Sequence, residues 1–316
     1  MKARLFIVLA FLGWCVSGHA ALAQSMDNRA GGTPISFGGR GWGGAEAVAT
    51  TPKAESETLN FSIKAGAATD YVYRGTTLSD RRPAIGGVFE VTYGQYYAWL
   101  SAASVHLPTQ PAAELGLSAG IRPSLAGIDF DLGVTYFAYP DEALPSSGIN
   151  YWEAALRADY KITETWRVAG GFAYSPDVSN TGAWSWYAAA GLGYDIPAHL
   201  LPADLSVSVT GAAGYSWFGD QSPALGGFAL PAYLNWHTGV TFTYKAVGLD
   251  LRYYDTNLSK ENCFVLTGDP GATPGGHVNP VTNPTGLRSS WCGATVVAKL
   301  WVALDGASLK TAAGSR

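Results

Sequence analysis

Charged residues are scarce in this 316-residue sequence, since Asp, Glu, Lys and Arg together account for 14% of it. In a soluble globular chain roughly a quarter of the residues are charged. The formal net charge is −4 at pH 7, so the sequence also lacks the basic excess typical of nucleic-acid-binding proteins. We therefore expect neither a well-solvated soluble domain nor nucleic acid as a partner.

Long apolar runs are also missing. Beyond the N-terminal region, no stretch reaches the roughly 18 consecutive apolar residues that a membrane-spanning helix needs. A chain without such helices can cross a membrane only as a closed β-barrel, because lipid cannot satisfy the hydrogen-bonding groups of an open sheet. The sequence therefore excludes a helical membrane protein and leaves a barrel as the way of crossing.

The N-terminal region has the three parts of a secretory signal peptide. Lys2 and Arg4 form a short basic segment, residues 5–16 are apolar but too short to span a bilayer, and residues 21–23 read Ala-Leu-Ala, a small-x-small cleavage site. The alternative, a buried or anchoring helix, does not explain the basic flank and the cleavage site. We predict that residues 1–23 are a cleaved signal peptide and that the protein is exported.

Cysteine is rare, with only Cys15, Cys263 and Cys292 in the whole chain. Cleavage of the signal peptide would remove the first of them and leave an even pair. Cysteine pairs in exported chains form disulfides, because the compartment is oxidising. We predict a disulfide between Cys263 and Cys292; two free thiols are the alternative.

Glycine and aromatic residues are abundant, with 39 Gly, 17 Tyr and 11 Trp, a composition typical of many short strands joined by turns. Residues 24–57 show no period and contain much Gly, Ser and Thr, which predicts a flexible segment. From residue 58 onward polar and apolar residues alternate with a period of two, as in strands with one apolar face. Residues 58–304 are the predicted barrel, and residues 305–316 are a predicted tail.

Twelve segments carry this alternation, and it is clearest in VGLDLRYY at 247–254. The segments are 59–74, 83–93, 96–105, 112–122, 128–136, 151–162, 166–175, 183–194, 205–217, 233–244, 247–254 and 294–304. Most are close to the 9–11 residues that a tilted membrane strand needs. We predict an all-β fold, a transmembrane antiparallel up-and-down β-barrel of about twelve strands.

The connections between these segments alternate in length. Tight turns at 94–95 and 245–246 contrast with long links at 139–150 and 256–293, although one long link, 195–204, lies on the turn side. Outer-membrane barrels show this asymmetry, with long extracellular loops and short periplasmic turns. An even number of strands then places the N-terminus and the C-terminus of the barrel segment on the turn side.

The period of two does not by itself say which face lies inside. We choose the inverted arrangement, with the apolar face outward, because aromatic residues recur near the ends of the apolar faces, as they do in interfacial girdles. These aromatic residues are Tyr71, Tyr73, Tyr93, Trp152, Tyr160, Trp166, Tyr215, Trp217, Trp236 and Tyr244. A soluble barrel would instead hide its apolar face and show charge outside.

The charged residues on the presumed inner faces are candidates for lining an aqueous channel. They are Lys64, Asp70, Arg74, Glu90, Glu114, Arg122, Asp129, Asp131, Glu153, Arg157, Asp159, Lys161, Arg167, Asp250, Arg252 and Lys299. The alternative is a packed network of ion pairs that closes the lumen, since twelve strands lie between the eight that side chains fill and the sixteen that leave an open channel.

The segment around Asp70 and Arg74 needs separate consideration. On one strand these two residues would share a face but lie roughly 13 Å apart, so each would need a partner on another strand. Arg74, Arg81 and Arg82 together could form a basic mouth beside Asp80. Ordinary pairing at the barrel rim is the alternative.

An enzyme and a surface protein are the other classes of hypothesis. The sequence has no G-x-S-x-G motif and no histidine at metal-ligand spacing with another histidine or cysteine, so we expect no catalysis, no metal and no cofactor. A barrel that presents its long last loop for adhesion is the remaining alternative.

Residues 70–87, DYVYRGTTLSDRRPAIGG, resemble a signature of the TorF family, a group of proteobacterial outer-membrane proteins named as porins. The family pattern is D-Y-V-[FY]-R-G, a short polar stretch with S-D, then P-A-[IV]-x-G. Residues 94–105 are similar to the family's next aromatic-rich strand, and Asn262-Cys263 and Cys292 to its late cysteines. The resemblance covers about residues 59–304. It implies an outer-membrane location, membrane lipid as surroundings, and passive passage of small hydrophilic solutes or ions.

Overall fold

The structure is a computed structural model that describes residues 59–143 and 148–306. The predicted signal peptide at 1–23, the segment 24–57 and most of the predicted tail lie outside the described residues. Among the residues that are described, no helix is long and apolar enough to cross a membrane.

Twelve long strands form the wall. They are β1 (Leu59–Ala68), β2 (Ala84–Tyr93), β3 (Tyr96–Ala103), β4 (Glu114–Ile121), β5 (Ile128–Ala138), β6 (Tyr151–Lys161), β7 (Trp166–Ser175), β8 (Ser185–Asp195), β9 (Leu205–Phe218), β10 (Tyr233–Tyr244), β11 (Val247–Thr256) and β12 (Thr295–Asp305). Each strand pairs antiparallel with the next along the chain, and β1 pairs with β12. The sheet is therefore closed, and the prediction of a twelve-stranded up-and-down antiparallel barrel is confirmed.

Shorter elements lie in the connections. Two-residue strands pair as a hairpin, Val72–Tyr73 with Thr76–Thr77, and Ser124–Leu125 pairs with the start of β5. The last long loop contains the helix α1 (Lys260–Thr267). Three short 3-10 helices lie at Val178–Asn180, Ala198–Leu200 and Pro223–Leu225. The strand alternation did not predict these elements, because local turn chemistry forms them; the side chain of Ser259, for example, caps the start of α1.

The first strand is shorter than predicted. The alternation predicted a strand over 59–74, but β1 ends at Ala68. Arg74 and Gly75 have positive φ angles of 47° and 79°, so the chain turns back at this point instead of continuing the wall. Positive φ is a conformation that glycine adopts readily, and the Arg-Gly pair marks the turn.

The two faces of the wall differ in the way expected of a membrane barrel. Leu100 and Leu117 point outward and are 54% and 60% exposed, whereas their sequence neighbours Ser101 and Ser118 point inward and are 3% and 4% exposed. The same alternation runs along the other strands, so apolar side chains cover the outside and polar ones face the lumen. The barrel is therefore inverted relative to a soluble one and suited to lipid.

Large side chains of the inner face lie sideways over glycines of neighbouring strands. The phenol of Tyr97 covers Gly120 and Gly133, and the phenol of Tyr187 covers Gly214. A Cβ atom at any of these three glycines would overlap the ring above it. The glycines thus let bulky groups lie flat against the wall.

We expect Gly214→Ala to destabilise the barrel, because the new methyl group would overlap the hydroxyl of Tyr187. Overpacking of this kind costs about 1–3 kcal/mol, which lowers the temperature at which the folded band disappears in heat-modifiable electrophoresis. Gly170→Ala is the matched control, since its Cβ would lie 3.7 Å from the carbonyl oxygen of Ala189, an ordinary contact. Equal midpoints for the two variants would contradict this packing.

Candidate functional site

The connection between β1 and β2 crosses the lumen on the loop side of the barrel. We call residues 69–83 the inward hairpin. Arg74 at its tip donates hydrogen bonds from Nη2 to both carboxylate oxygens of Glu153 on β6, at 3.0 and 2.9 Å. The hydroxyl of Tyr233 on β10 donates to the carbonyl oxygen of Arg74 at 3.1 Å. The hairpin therefore starts on one side of the barrel and is bound to strands on the other.

The guanidinium of Arg74 is enclosed by aromatic rings. Its central carbon lies 4.6 Å from the ring centroid of Tyr73 and 4.1 Å from that of Tyr187, within the range of cation–π attraction. Burial lowers the pKa of Arg74, but Glu153 and the surrounding tyrosines together outweigh this effect, and the pKa lies above its ordinary value. Arg74 is thus held as a buried cation paired with Glu153, while its Nε has no hydrogen-bond partner among the described residues.

The tip leaves no room for a side chain next to Arg74. Gly75 has a φ of +79°, and a Cβ atom there would overlap Cγ2 of Thr256 on β11 and lie 3.1 Å from Cβ of Asn235 on β10. The Arg-Gly pair therefore fits the inner wall closely as well as forming the turn.

The base of the inward hairpin is held by hydroxyl groups around Asp70. Thr77 and Ser79 both donate to Oδ1 of Asp70, and Ser79 Oγ also accepts from the backbone N–H of Tyr71. Burial raises the pKa of Asp70, although these hydroxyl bonds lower it. The carboxylate therefore links the start of the inward hairpin to the part of the hairpin that returns toward β2.

A second buried carboxylate ties the hairpin to β4. Glu114 is 1% exposed, and its two oxygens accept hydrogen bonds from the hydroxyls of Tyr71 and Tyr139 at 2.6 and 2.7 Å. Tyr71 belongs to the hairpin, while Tyr139 follows β5. The hairpin is therefore anchored near its base and at its tip.

The last long loop closes over the hairpin and contains the predicted disulfide. Cys263 in α1 is bonded to Cys292, 29 residues later, with a Cα–Cα distance of 5.8 Å. Both cysteines are 1% exposed. The predicted pairing is confirmed, and it fixes the segment just before β12 against α1.

That fixed segment holds the outer side of the inward hairpin. The backbone N–H of Thr77 donates to the carbonyl oxygen of Trp291 at 3.1 Å, and the indole N–H of Trp291 donates to Asp80 at 2.9 Å. Arg81 donates to the carbonyl oxygen of Gly293 at 3.0 Å. The disulfide-closed loop and the hairpin thus form one packed lid across the loop side.

Ion pairs line the turn side of the lumen. The largest cluster centres on Arg122, which donates to Glu90 at 2.8 and 3.1 Å and to Asp131 at 2.9 Å. Its guanidinium carbon lies 3.8 Å from the ring centroid of Tyr97, and the hydroxyl of Tyr97 also donates to Asp131. Four side chains from β2 to β5 are therefore bound together.

Three further pairs continue this arrangement around the barrel. Arg157 with Asp159 on β6, Arg167 with Asp195 between β7 and β8, and Arg252 with Asp250 on β11 have N–O distances of 2.5, 3.3 and 2.7 Å. In each pair the arginine lies along the wall toward an aspartate of its own or the neighbouring strand. The positive and negative charges of the lumen are therefore largely matched.

One part of the inner wall carries only small side chains. We call Ala155, Gly171, Ala189, Gly191 and Ala212, which belong to β6, β7, β8 and β9, the small-residue wall. Ala155 is exposed although it points into the lumen between two buried neighbours of the same face, and the other four are partly exposed. The interior is therefore open at this level, between the inward hairpin and the ion pairs.

The structure places most of the sixteen candidate charges on the inner face, but two predicted positions are wrong. Asp70 and Arg74 belong to the inward hairpin and not to a wall strand. Tyr71 and Tyr73 were expected in the outer aromatic girdle, yet both are 7% exposed and lie inside. All four residues are buried inside the barrel, so the sequence pattern of this segment does not mark a lipid-facing side.

The predicted basic mouth does not form. Arg82 pairs with Asp80 at 2.9 Å, Arg81 donates to backbone carbonyls of the last loop, and Arg74 lies buried in the lumen. The three arginines therefore have separate partners.

Asp129 and Lys161 lie at the turn-side ends of β5 and β6, whereas Lys64 and Lys299 lie within β1 and β12. Asp129 and Lys161 are exposed, and Lys161 pairs with Glu164 at 2.8 Å. Lys64 and Lys299 lie 4.5 and 5.7 Å from the ring centroid of Trp301.

Uncharged lumen residues were missed by a search for charge. Tyr97, Tyr187 and Asn235 connect the charged groups, and the hydroxyl of Tyr187 donates to Asn235 at 3.2 Å. The available signal was glycine at inward positions of neighbouring strands, which indicates a large side chain lying across them. His237 also lies on the inner face, buried beside Arg252.

Three solved structures are similar in outline. The KdgM porin is 6% identical, with 76% of this chain and 98% of that chain covered and a TM-score of 0.42. The NanC porin is 7% identical, with 77% and 97% covered and a TM-score of 0.40. An outer-membrane channel from Pseudomonas putida F1 is 13% identical, with 82% and 100% covered and a TM-score of 0.41.

No curated protein matches the sequence. Residues 52–272, which include β1 to β11 and the inward hairpin, match a family of bacterial proteins of unknown function. The match covers more than half of the chain. The chain therefore belongs to the Gcw_chp family.

Proposed function

We propose that this protein is a narrow channel of the bacterial outer membrane, through which small hydrophilic solutes or ions diffuse passively. The observation that carries the proposal is the inverted barrel itself. Its outer face is apolar, while its inner face combines matched ion pairs with the small-residue wall, which is exposed at Ala155 and partly exposed elsewhere. A packed apolar core would not use such a lining, and lipid would not tolerate it.

The resemblance of residues 70–87 to the TorF signature supports the same function and location. The predicted signal peptide supports export, and the long loops on one rim support an orientation with those loops outside the cell. Because twelve strands enclose less space than the sixteen of a large porin, we expect a narrow pore.

The inward hairpin supports a second candidate function. A barrel closed by its hairpin and its disulfide-bonded loop would be a structural or surface-interaction protein without transport. The burial of Arg74, Glu114 and Glu153, each below 9% exposed, favours this alternative at the loop side. The small-residue wall favours the channel.

Planar-bilayer recording of the refolded full-length chain distinguishes the two functions. We expect discrete current steps that are smaller than those of a sixteen-stranded porin in the same salt, without any cofactor or energy source. Only preparations that show heat-modifiable migration count as folded, and boiled protein is the control. Folded barrels that never conduct, including after removal of the inward hairpin, would refute the channel and leave the closed barrel.

A further inference from the structure

The partners of Arg74 form a binding site that belongs to the barrel wall and not to the hairpin. Glu153 on β6 supplies the carboxylate and Tyr187 on β8 supplies an aromatic face at 4.1 Å, whereas the hydroxyl of Tyr233 on β10 binds the backbone carbonyl of Arg74 and so holds the hairpin. All three are on long strands whose backbones are fixed by the closed sheet. The site would therefore persist if the hairpin moved away.

The geometry of this site suits a guanidinium group. Both oxygens of Glu153 accept from Arg74, and the side chains of Arg74 and Glu153 are only 8% and 10% exposed. A planar, delocalised cation can stack on an aromatic ring and donate in its own plane to a carboxylate at the same time, which a spherical ammonium cannot do as well. Tyr187 is itself oriented by Asn235 and cannot turn away without losing that bond.

We propose that Glu153 and Tyr187 form a subsite for a small solute that bears a guanidinium group, and that Arg74 occupies this subsite as an internal substitute for the solute. When the inward hairpin withdraws, such a solute takes the place of Arg74. The inference names a substrate class for the proposed channel. Entry of the solute rests on that proposed function, but binding of the solute at the subsite does not.

Removal of the internal substitute tests the subsite directly. Arg74→Ala should leave the carboxylate of Glu153 without its cation, and millimolar methylguanidinium should supply a cation in place of Arg74. We expect methylguanidinium to raise the unfolding midpoint of refolded Arg74→Ala in detergent, at constant ionic strength, and to bind it more tightly than the wild-type protein, in which Arg74 competes at high effective concentration. Tetramethylammonium, which cannot donate hydrogen bonds, should have little effect.

Two variants keep the test specific. In the double variant Arg74→Ala with Glu153→Gln, loss of the carboxylate charge should weaken methylguanidinium binding by roughly tenfold or more. Arg82→Ala removes one arginine that is paired outside the lumen with Asp80, so its response to methylguanidinium should equal that of the wild type. If Arg74→Ala does not fold, methylguanidinium present during refolding should recover the folded band.

The outcomes separate this proposal from the channel. Rescue of Arg74→Ala that depends on Glu153 supports the subsite, even if the barrel never conducts and the proposed channel is refuted. Equal responses of Arg74→Ala, the double variant and Arg82→Ala, or a failure of methylguanidinium to recover folding, would overturn the subsite and leave the channel standing.

Discussion

Replacement of residues 71–81 by a short Gly-Ser linker should increase the single-channel conductance of the barrel several-fold. These residues form most of the inward hairpin, which crosses from β1 to Glu153 on β6 and Tyr233 on β10. With the hairpin gone, the small-residue wall would open to the loop side. The linker keeps β1 and β2 connected, so the strand pairing of the wall is unchanged.

The control for this prediction is a deletion of similar kind in another loop. Residues 224–227 lie between β9 and β10 and are exposed, so their removal should leave the conductance unchanged. Both variants are compared in planar bilayers after heat-modifiable migration has shown that they are folded. Equal conductance of the hairpin variant and the wild type would mean that the hairpin does not set the size of the pore.

Substitution of Arg122 by Gln should destabilise the barrel strongly. Arg122 is 8% exposed and is the cation that holds the carboxylates of Glu90 and Asp131 together. Without it, two negative charges that lie in a largely buried cluster lose their partner, and breaking a buried ion pair from one side costs about 3–5 kcal/mol. The loss is measured as a lower midpoint in urea and a lower temperature for the disappearance of the folded band.

The control and the rescue follow from the same contacts. Lys161→Gln removes a cation whose partner Glu164 is exposed, and because surface pairs of this kind contribute little to stability, this variant should be about as stable as the wild type. Adding Glu90→Gln to Arg122→Gln removes one of the unpaired charges and should recover part of the stability. A stable Arg122→Gln variant with only a shifted ion preference would show that Arg122 lines an aqueous path and is not a structural cation.

The two predictions together separate two roles that the inner charges were expected to share. Charges in the turn-side pairs, such as Arg122 and Arg252, are tied to carboxylates within 3 Å and act first on stability. Asp129 and Lys161 are exposed at the turn-side rim, where a charge can act on passing ions.

The wall of the barrel could be predicted from the sequence, because apolar and polar residues alternate with a period of two along a strand that has one apolar and one polar face. Every residue of the segment 233–244 lies in β10, and the segment 166–175 coincides with β7. The apolar face was predicted to point outward because the sequence contains few charged residues and because aromatic residues recur near the strand ends. The disulfide could also be predicted, because Cys263 and Cys292 are the only cysteines outside the predicted signal peptide.

The inward hairpin and the lumen contacts were decided by tertiary structure alone. Tyr71 and Tyr73 occupy alternate positions between Asp70 and Arg74, as they would on a wall strand, yet all four side chains are buried inside the barrel. Arg74 and Glu153 are 79 residues apart, and nothing local to either residue specifies the other. Their pairing depends on the closure of the sheet and on the path of a loop, and both are properties of the whole barrel.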